Sequence, residues 1–469
     1  MVAGEISLPT EVLVLGGGPG GYTAAARAVE LGKQVVLIEA GELGGTCLNV
    51  GCIPSKALIT LGHDIHRARR RISDSTGLVG SVDVDLAAAQ KWKDGIVERL
   101  RGGVGQLLGS VEVVRGFGRF VDVDRIAVEC HDHVAHYRFD DAIIATGSRP
   151  SVVAELPFDG DRIVDSTGLL ALDTVPERLV VVGGGYIGIE LGTALAMLGS
   201  TVTIVEMTDR LLRGFDTDIV RTVRQRLDEL GVSVYTEARV TGDDGTSVRV
   251  EHDDDADDLN LPADCVLVAV GRRPNTDDLQ LEDAKVRLDD TGRVTVDEQR
   301  RTNARHIFAI GDVTTGPALA HKASAEGRVA AEVICGQPAA FDQLVPLVAF
   351  CDPELAAVGV GEDEAKEHGL DVVVGRARFA VNGRALTMDE PRGLAKVVVD
   401  TASGVVIGVQ IAGPAASEMI AEGAVAVESA LRAEDVARTV HPHPTLGEAL
   451  ADAASAAWRR LPATQKNEE

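Results

Sequence analysis

The sequence predicts an α/β protein with two Rossmann-like βαβ domains followed by a C-terminal α+β domain. Two stretches give the first part. EVLVLGGGPGGYTAAARAVELGKQVVLIEA, from Glu11, reads strand, glycine turn, helix, strand, and RLVVVGGGYIGIELGTALAMLGSTVTIVEM, from Arg178, repeats that order. Each strand is an unbroken Val/Leu/Ile run, the pattern of a parallel strand buried on both faces. From about Pro346 the pattern changes, and strand-like runs mix with alanine-rich helical stretches.

Taken in order, each βαβ helix is expected to begin at the last glycine of its loop. DDAIIATGSRP, around Thr146, closes the first module with a strand and a turn, and CVLVAVGRRPN, reaching Gly271, closes the second. RTNARHIFAIGDV then supplies a strand carrying Gly311 and Asp312 and leads into a helix from about Ala318. This reads as a return to the first domain. The expected boundaries are 1–149 and 275–345 for the first domain, 150–274 for the second and 346–469 for the third. In the third, AAVGV, AKVVVD and VVIGVQIAG are strands, and SEMIAEGAVAVESAL and TLGEALADAASAAWRR are helices. DDDADD, from Asp253 to Asp258, reads as a solvated loop, and the terminal TQKNEE is expected to fray.

Composition narrows the function classes. A net charge of −26 over 469 residues opposes binding to nucleic acid or anionic lipid, both of which are negative. No segment approaches the ~20 consecutive apolar residues of a membrane helix. MVAGEISLPT lacks a basic region followed by an apolar run, so a cytoplasmic location is expected. Six cysteines without a dense framework fit a reducing compartment, and Cys130, Cys265, Cys335 and Cys351 read as small buried hydrophobes. The basic residues are skewed, with 37 Arg against nine Lys. Such an acidic, lysine-poor surface resembles that of proteins adapted to molar salt, which screens self-repulsion within ~3 Å; the alternative is an ordinary acidic cytosolic protein.

The first loop holds Gly16, Gly18 and Gly21 in G-x-G-x-x-G spacing, with Glu39 at the tip of the next strand. Glycines there allow a tight turn and close approach to a pyrophosphate, the helix N-terminus attracts its charge, and the acid accepts from a ribose diol. The second loop repeats this with Gly183, Gly185, Gly188 and Glu206. An acid at that strand end favours the free 2′-hydroxyl of NAD, while Arg210 and Arg213 just beyond read as surface charge. Two such folds suggest one tightly held flavin and one exchangeable nicotinamide.

Cys47 and Cys52, in GGTCLNVGCIPSK, add a thiol couple beside the first loop. Residues five apart in a regular helix have Cα atoms roughly 8–9 Å apart. A disulfide needs about 4.4–6.8 Å, so the chain must bend, and Gly51 is expected to supply the freedom. A bridge closing so small a loop stabilises little and is the kind that is reduced and reformed. Lys56, four residues on, can hold a positive charge near the flavin and lower a thiol pKa. In HPHPTLGEAL, His443 and Glu448 have the spacing of a His–carboxylate dyad across a turn into a helix, with His441 as the competing histidine. No residue set suggests a metal.

These motifs resemble the dihydrolipoamide dehydrogenases, within the FAD- and NAD(P)-dependent disulfide reductases. GGTCLNVGCIPSKAL is similar to that family's redox-active segment, TNARHIFAIGDV to its second flavin motif, FCDPELAAVG to the opening of its interface domain, and HPHPTLGE to its C-terminal signature. The resemblance implies that Cys47 meets substrate and that Cys52 contacts the flavin. It implies that Lys56 pairs with Glu190, that Asp312 holds the ribityl chain, and that Thr46, Gly118, Thr146 and Ala320 lie along FAD. It further implies that Val240 and Gly271 border NAD, and that His443, held by Glu448, acts across a homodimer interface formed by the third domain. The implied partners are lipoyl-bearing acyltransferases or carriers. Arg213 coincides with an arginine of NADP-using glutathione reductases, but Met207 stands where its companion would be. The remaining alternatives are an NADPH-dependent reductase of another disulfide and a non-catalytic redox sensor.

Overall fold

The computed structural model describes residues 7–74, 76–252 and 258–462. Residues 253–257 of the DDDADD run and the TQKNEE tail lie outside the described residues. The chain divides into two compact units, the first comprising Met1–Ala57, Ala87–Ser151 and Gly271–Asp342. Its seven-stranded sheet is built around the strand Ser7–Leu15, which pairs in parallel with Val35–Glu39 and Val134–Ile144. The return segment joins through Ile307–Ala309, parallel to Val134–Ile144. Strands Arg125–Glu129 and Phe117–Asp122 continue the sheet antiparallel.

The helices Pro19–Glu30 and Ala320–Ile334 pack against each other because both present small residues. A Cβ on Gly327 would stand 2.5 Å from Gly20 O, and one on Gly20 would stand 3.1 Å from Ala323 O. This contact fixes the first glycine loop against the return segment. Neither βαβ helix starts at the last glycine of its loop. Both begin two residues earlier, at Pro19 and Tyr186, with Gly18 and Gly185 as extended N-caps. The third glycine therefore lies inside the first turn, where its bare backbone faces the loop it closes.

The second unit comprises Leu58–Leu86, Val152–Val270 and Gln343–Glu469. It contains a parallel sheet in the order Ser233–Tyr235, Thr201–Val205, Arg178–Val182, Cys265–Val268, Ile163–Val164. A three-stranded antiparallel sheet and a five-stranded one, Leu347–Ala349 to Val372–Arg378, complete it. Residues 58–86 group here, not with the first nucleotide domain. The helix Cys52–Ser73 runs on past Ala57, buries Ile59 in the core with Ala194 and Leu195, and pairs Arg67 with Glu390 and Arg70 with Asp389. Among the four cysteines read as buried, Cys265 and Cys351 are, whereas Cys130 and Cys335 are half-buried.

Lys396, on the strand Leu394–Asp400, is fully buried. Its Nζ lies 2.9 Å from Asp216 Oδ2 and 3.1 Å from Glu362 Oε2, and it also bonds Asp218. Those three carboxylates are close enough together to hold a metal ion, and the ammonium group takes that place. Burial pushes the Asp218 and Glu362 carboxyls up, but hydrogen bonds to neighbouring ammonium groups outweigh it and hold both below the usual range. Their contribution is present above the ordinary carboxylate pKa and is lost as pH falls through the lowered values. Lys396→Met, which takes the ammonium partner from buried Asp216 while Asp218 and Glu362 keep Arg376, should cost about 3–5 kcal/mol in urea unfolding at pH 7. The deficit should shrink toward pH 4, and a pH-independent loss would contradict the charge account.

Candidate active site

In the first loop Gly16 has φ +108°, and a Cβ there would meet Ala145 O at 2.4 Å. A Cβ on Gly21 would meet Gly16 O at 1.8 Å, so only glycine closes this turn. Gly18 caps the helix Pro19–Glu30 without a side-chain bond, which leaves the helix N-terminus open to an anion. Glu39 Oε2 accepts from Gly17 N and Oε1 from Gly41 N, both at 2.6 Å, so the carboxylate is aimed at the rim of the loop. The second loop is built alike. Gly183 has φ +114°, a Cβ on Gly188 would stand 2.1 Å from Gly183 O, and Gly185 is an open N-cap. Glu206 Oε2 accepts from Gly184 N at 2.6 Å, and Oε1 accepts from Thr208 N and Oγ1. Both loops thus fit a dinucleotide: a donor-lined turn with no room for side chains, and a fixed acid beyond it.

Asp312 lies in the short Gly311–Val313 turn, where its Oδ2 accepts from Ser148 Oγ at 2.5 Å, and Arg272 in turn donates to Ser148. Thr146 Oγ1 donates to Asn275 O, and Asn275 Nδ2 donates back to Thr146 O. Ala320 is the first residue of its helix. Gly118 is explained by packing, since a Cβ would stand 2.5 Å from Leu15 Cδ1. Val240 is buried on the strand Ala238–Asp243, and Gly271 has φ +130°. Glu190 is buried on the helix Tyr186–Leu198 and accepts from Phe350 N at 2.8 Å. Arg213 pairs with Asp209 at 3.2 Å, so its charge is answered on its own turn, and Met207 is exposed.

Cys47 lies in the helix Gly45–Asn49 with Thr46, and Cys52 opens the helix Cys52–Ser73. The two side chains are hydrogen-bonded as thiols. The break between the helices at Val50–Gly51 makes this possible. Gly51 is not in the left-handed region. Glycine is needed there for space, because a Cβ would approach Thr46 O at 3.0 Å and Cys47 Cα at 3.5 Å. The bond to Cys52, burial and the Cys52 charge all push the Cys47 thiol up, while Lys56 pulls the other way. The Cys47 thiol therefore holds its proton more tightly than an ordinary cysteine does.

Sequence reasoning passed over Asn49, although it sits inside the motif. Its Nδ2 donates to Leu43 O at 3.0 Å and Gly45 O at 2.9 Å, and Arg101 Nε donates to its Oδ1 at 3.0 Å. Asn49 thereby holds the helix bearing Cys47. An amide between two cysteines beside a Gly-Gly turn was the available signal.

His443 Nδ1 lies 2.9 Å from Glu448 Oε1, and Glu448 Oε2 accepts from Thr445 N at 2.8 Å. The Thr445 bond, then the His443 bond, holds the Glu448 carboxyl below its ordinary value. The carboxylate fixes the proton on Nδ1 and leaves Nε2 as the basic nitrogen. The His443 side chain is 78% exposed, whereas that of His441 is 10% exposed, bonded to Thr439 O and Glu422 instead of lying on the surface.

The family model for the pyridine nucleotide-disulphide oxidoreductases matches residues 10–327, and the model for that family's dimerisation domain matches 345–454. The chain belongs to this family. The dihydrolipoyl dehydrogenase of Geobacillus stearothermophilus is 49% identical to this oxidoreductase over 465 residues, 97% of this chain and 98% of that one. The dihydrolipoyl dehydrogenase of Haloferax volcanii is 46% identical over 466 residues, 97% of each. The crystal structure of LpdA from Mycobacterium tuberculosis superposes with a TM-score of 0.88 at 30% identity, covering 95% of this chain and 99% of that one. Among the described residues no helix is long and apolar enough to cross a membrane.

Gly21→Ala should yield protein that has lost most of its visible flavin absorbance relative to absorbance at 280 nm. Gly95→Ala, in the open middle of the helix Leu86–Leu107, should keep its flavin and gain about 0.5–1 kcal/mol. Equal flavin content in the two variants would contradict the close-approach argument.

Proposed function

We propose that this oxidoreductase converts protein-bound dihydrolipoamide to lipoamide and reduces NAD⁺, through FAD and the Cys47–Cys52 pair. The observation that carries the reading is the pair itself: two thiols in mutual hydrogen-bond contact, beside a loop built for a dinucleotide. Near-full-length relatives named dihydrolipoyl dehydrogenase support the substrate.

His443 Nε2 takes the proton of one substrate thiol, and the thiolate attacks Cys47 of the Cys47–Cys52 disulfide. A substrate–Cys47 bond forms as the Cys47–Cys52 bond breaks, and Cys52 leaves as a thiolate. The second substrate thiol closes the lipoyl ring and expels Cys47; its proton passes to the Cys47 sulfur, while His443 keeps the first proton and Cys52 the negative charge. Lys56 steadies the negative charge at the cysteine pair. Gly16, Gly18, Gly21, Glu39, Thr46, Gly118, Thr146, Asp312 and Ala320 hold FAD. Gly183, Gly185, Gly188, Glu206, Val240 and Gly271 hold NAD, with Glu190 on the helix behind that loop. When bound, the two cofactors carry the electron pair from the dithiol to NAD⁺. The dimerisation domain brings His443 to the Cys47 of a second copy, so each centre is shared by two chains. Lipoyl-bearing acyltransferases or carriers are the partners, in the cytoplasm.

With free dihydrolipoamide the holoenzyme should reduce NAD⁺ and be roughly 100-fold less efficient with NADP⁺, because an acid such as Glu206 at that strand end would favour a free 2′-hydroxyl and repel a 2′-phosphate. Parity or preference for NADP⁺ would overturn the cofactor assignment. Cys47→Ser and His443→Gln should each be nearly inactive. Refolded together in equal amounts, they should recover about a quarter of wild-type activity, since half the dimers are mixed and each mixed dimer has one intact site. No recovery would refute a shared site.

A further inference from the structure

His441 is the histidine that the reaction does not use. Both of its ring nitrogens meet pure acceptors: Nδ1 lies 2.8 Å from Thr439 O, and Nε2 lies 2.9 Å from Glu422 Oε1. A neutral imidazole offers one donor and one acceptor, so one of these contacts would place lone pair against lone pair. The arrangement is satisfied only when both nitrogens carry protons. The ring edge also packs beside the residue that precedes Glu448, with Cδ2 3.6 Å from where a Cβ would stand on Gly447. Two His–carboxylate pairs thus lie side by side, one shielded and one exposed.

We propose that His441 is a fixed imidazolium, tethered between Thr439 and Glu422, that shares the charge of Glu448 with His443 and so sets the proton affinity of the general base. The proposal deepens the dihydrolipoamide reading and rests on it for the role of His443. The charged groups acting on His441 are Glu422, from the helix Ala416–Glu428, and Glu448, from the helix Glu448–Arg460. Burial opposes its charge, but the bonds to Thr439 and Glu422 outweigh burial and raise its affinity for the proton. Its charge also helps keep Glu448 ionised, after the larger effects of Thr445 and His443. A carboxylate bonded to an imidazole favours its protonated form, and a cation acting on the same carboxylate opposes that effect. His441 is therefore a positioning residue that touches no substrate.

The test is a histidine-selective NMR titration of the flavin-loaded dimer, with wild type, His441→Gln and Glu422→Gln compared. His441 should keep its proton above the ordinary value of about 6.5 in wild type and lose it at lower pH in Glu422→Gln. A wild-type His441 that titrates at or below the ordinary value of about 6.5 overturns the proposal. In His441→Gln, and in Glu422→Gln at any pH where His441 has lost its proton, His443 should titrate higher than in wild type, and the acid limb of kcat/KM for dihydrolipoamide should move up with it. If kcat falls while that limb and the His443 titration stay put, His441 is merely structural and the proposal is wrong. The titrations need no turnover, so an enzyme inactive on dihydrolipoamide would sink the substrate reading and leave the charge of His441 to be judged separately. Glu422→Gln keeps the loop packing and stands in if His441→Gln fails to fold.

Discussion

Everything in this oxidoreductase depends on bringing two sulfurs five positions apart into contact. A continuous helix would hold them apart. The chain stops one helix at Asn49, turns through Val50 and Gly51, and starts another at Cys52. That turn keeps its geometry because Asn49 binds the carbonyls of the preceding glycine turn and is itself held by Arg101. Thr46 O lies so close to Gly51 that no larger residue enters without moving the Cys47 backbone. The electrostatics follow from this contact. Two sulfurs that share a proton cannot both ionise easily, so one becomes the charged partner and the other stays neutral.

Elsewhere each unit is fixed by contacts of its own. The first dinucleotide loop and the return segment are locked by Gly20 and Gly327, which let the helices Pro19–Glu30 and Ala320–Ile334 approach to backbone distance. In the second unit, Lys396 ties the start of the helix Thr217–Glu229 to the strand Leu394–Asp400 through Asp216 and Asp218. The dinucleotide module and the five-stranded antiparallel sheet therefore share one buried ionic centre.

What could be read from the sequence was what local pattern encodes. Buried parallel strands announce themselves as Val/Leu/Ile runs, and the glycine spacings and terminal acids follow from turn geometry alone. The His443–Glu448 pair was legible because a helix start sets the reach of Glu448. Contacts across long sequence distances were not legible. Nothing near His441 points to Glu422, nineteen positions earlier, and nothing near Lys396 points to Asp216. The helix Cys52–Ser73 was expected within the first domain, yet from Leu58 onward it belongs to the other unit, because burial of Ile59 is decided by tertiary partners and not by local periodicity. Gly51 was assigned the wrong reason: sequence shows that a glycine is present, and only coordinates show whether φ or space demands it.

The most direct measurement is an anaerobic titration of oxidised, flavin-loaded enzyme with dihydrolipoamide in the absence of nicotinamide, counting reactive thiols as reduction proceeds. The account predicts that the first electron pair per chain exposes two new thiols, at Cys47 and Cys52, while the flavin keeps most of its oxidised absorbance. Bleaching of the flavin by that first pair, with no thiols gained, would contradict it.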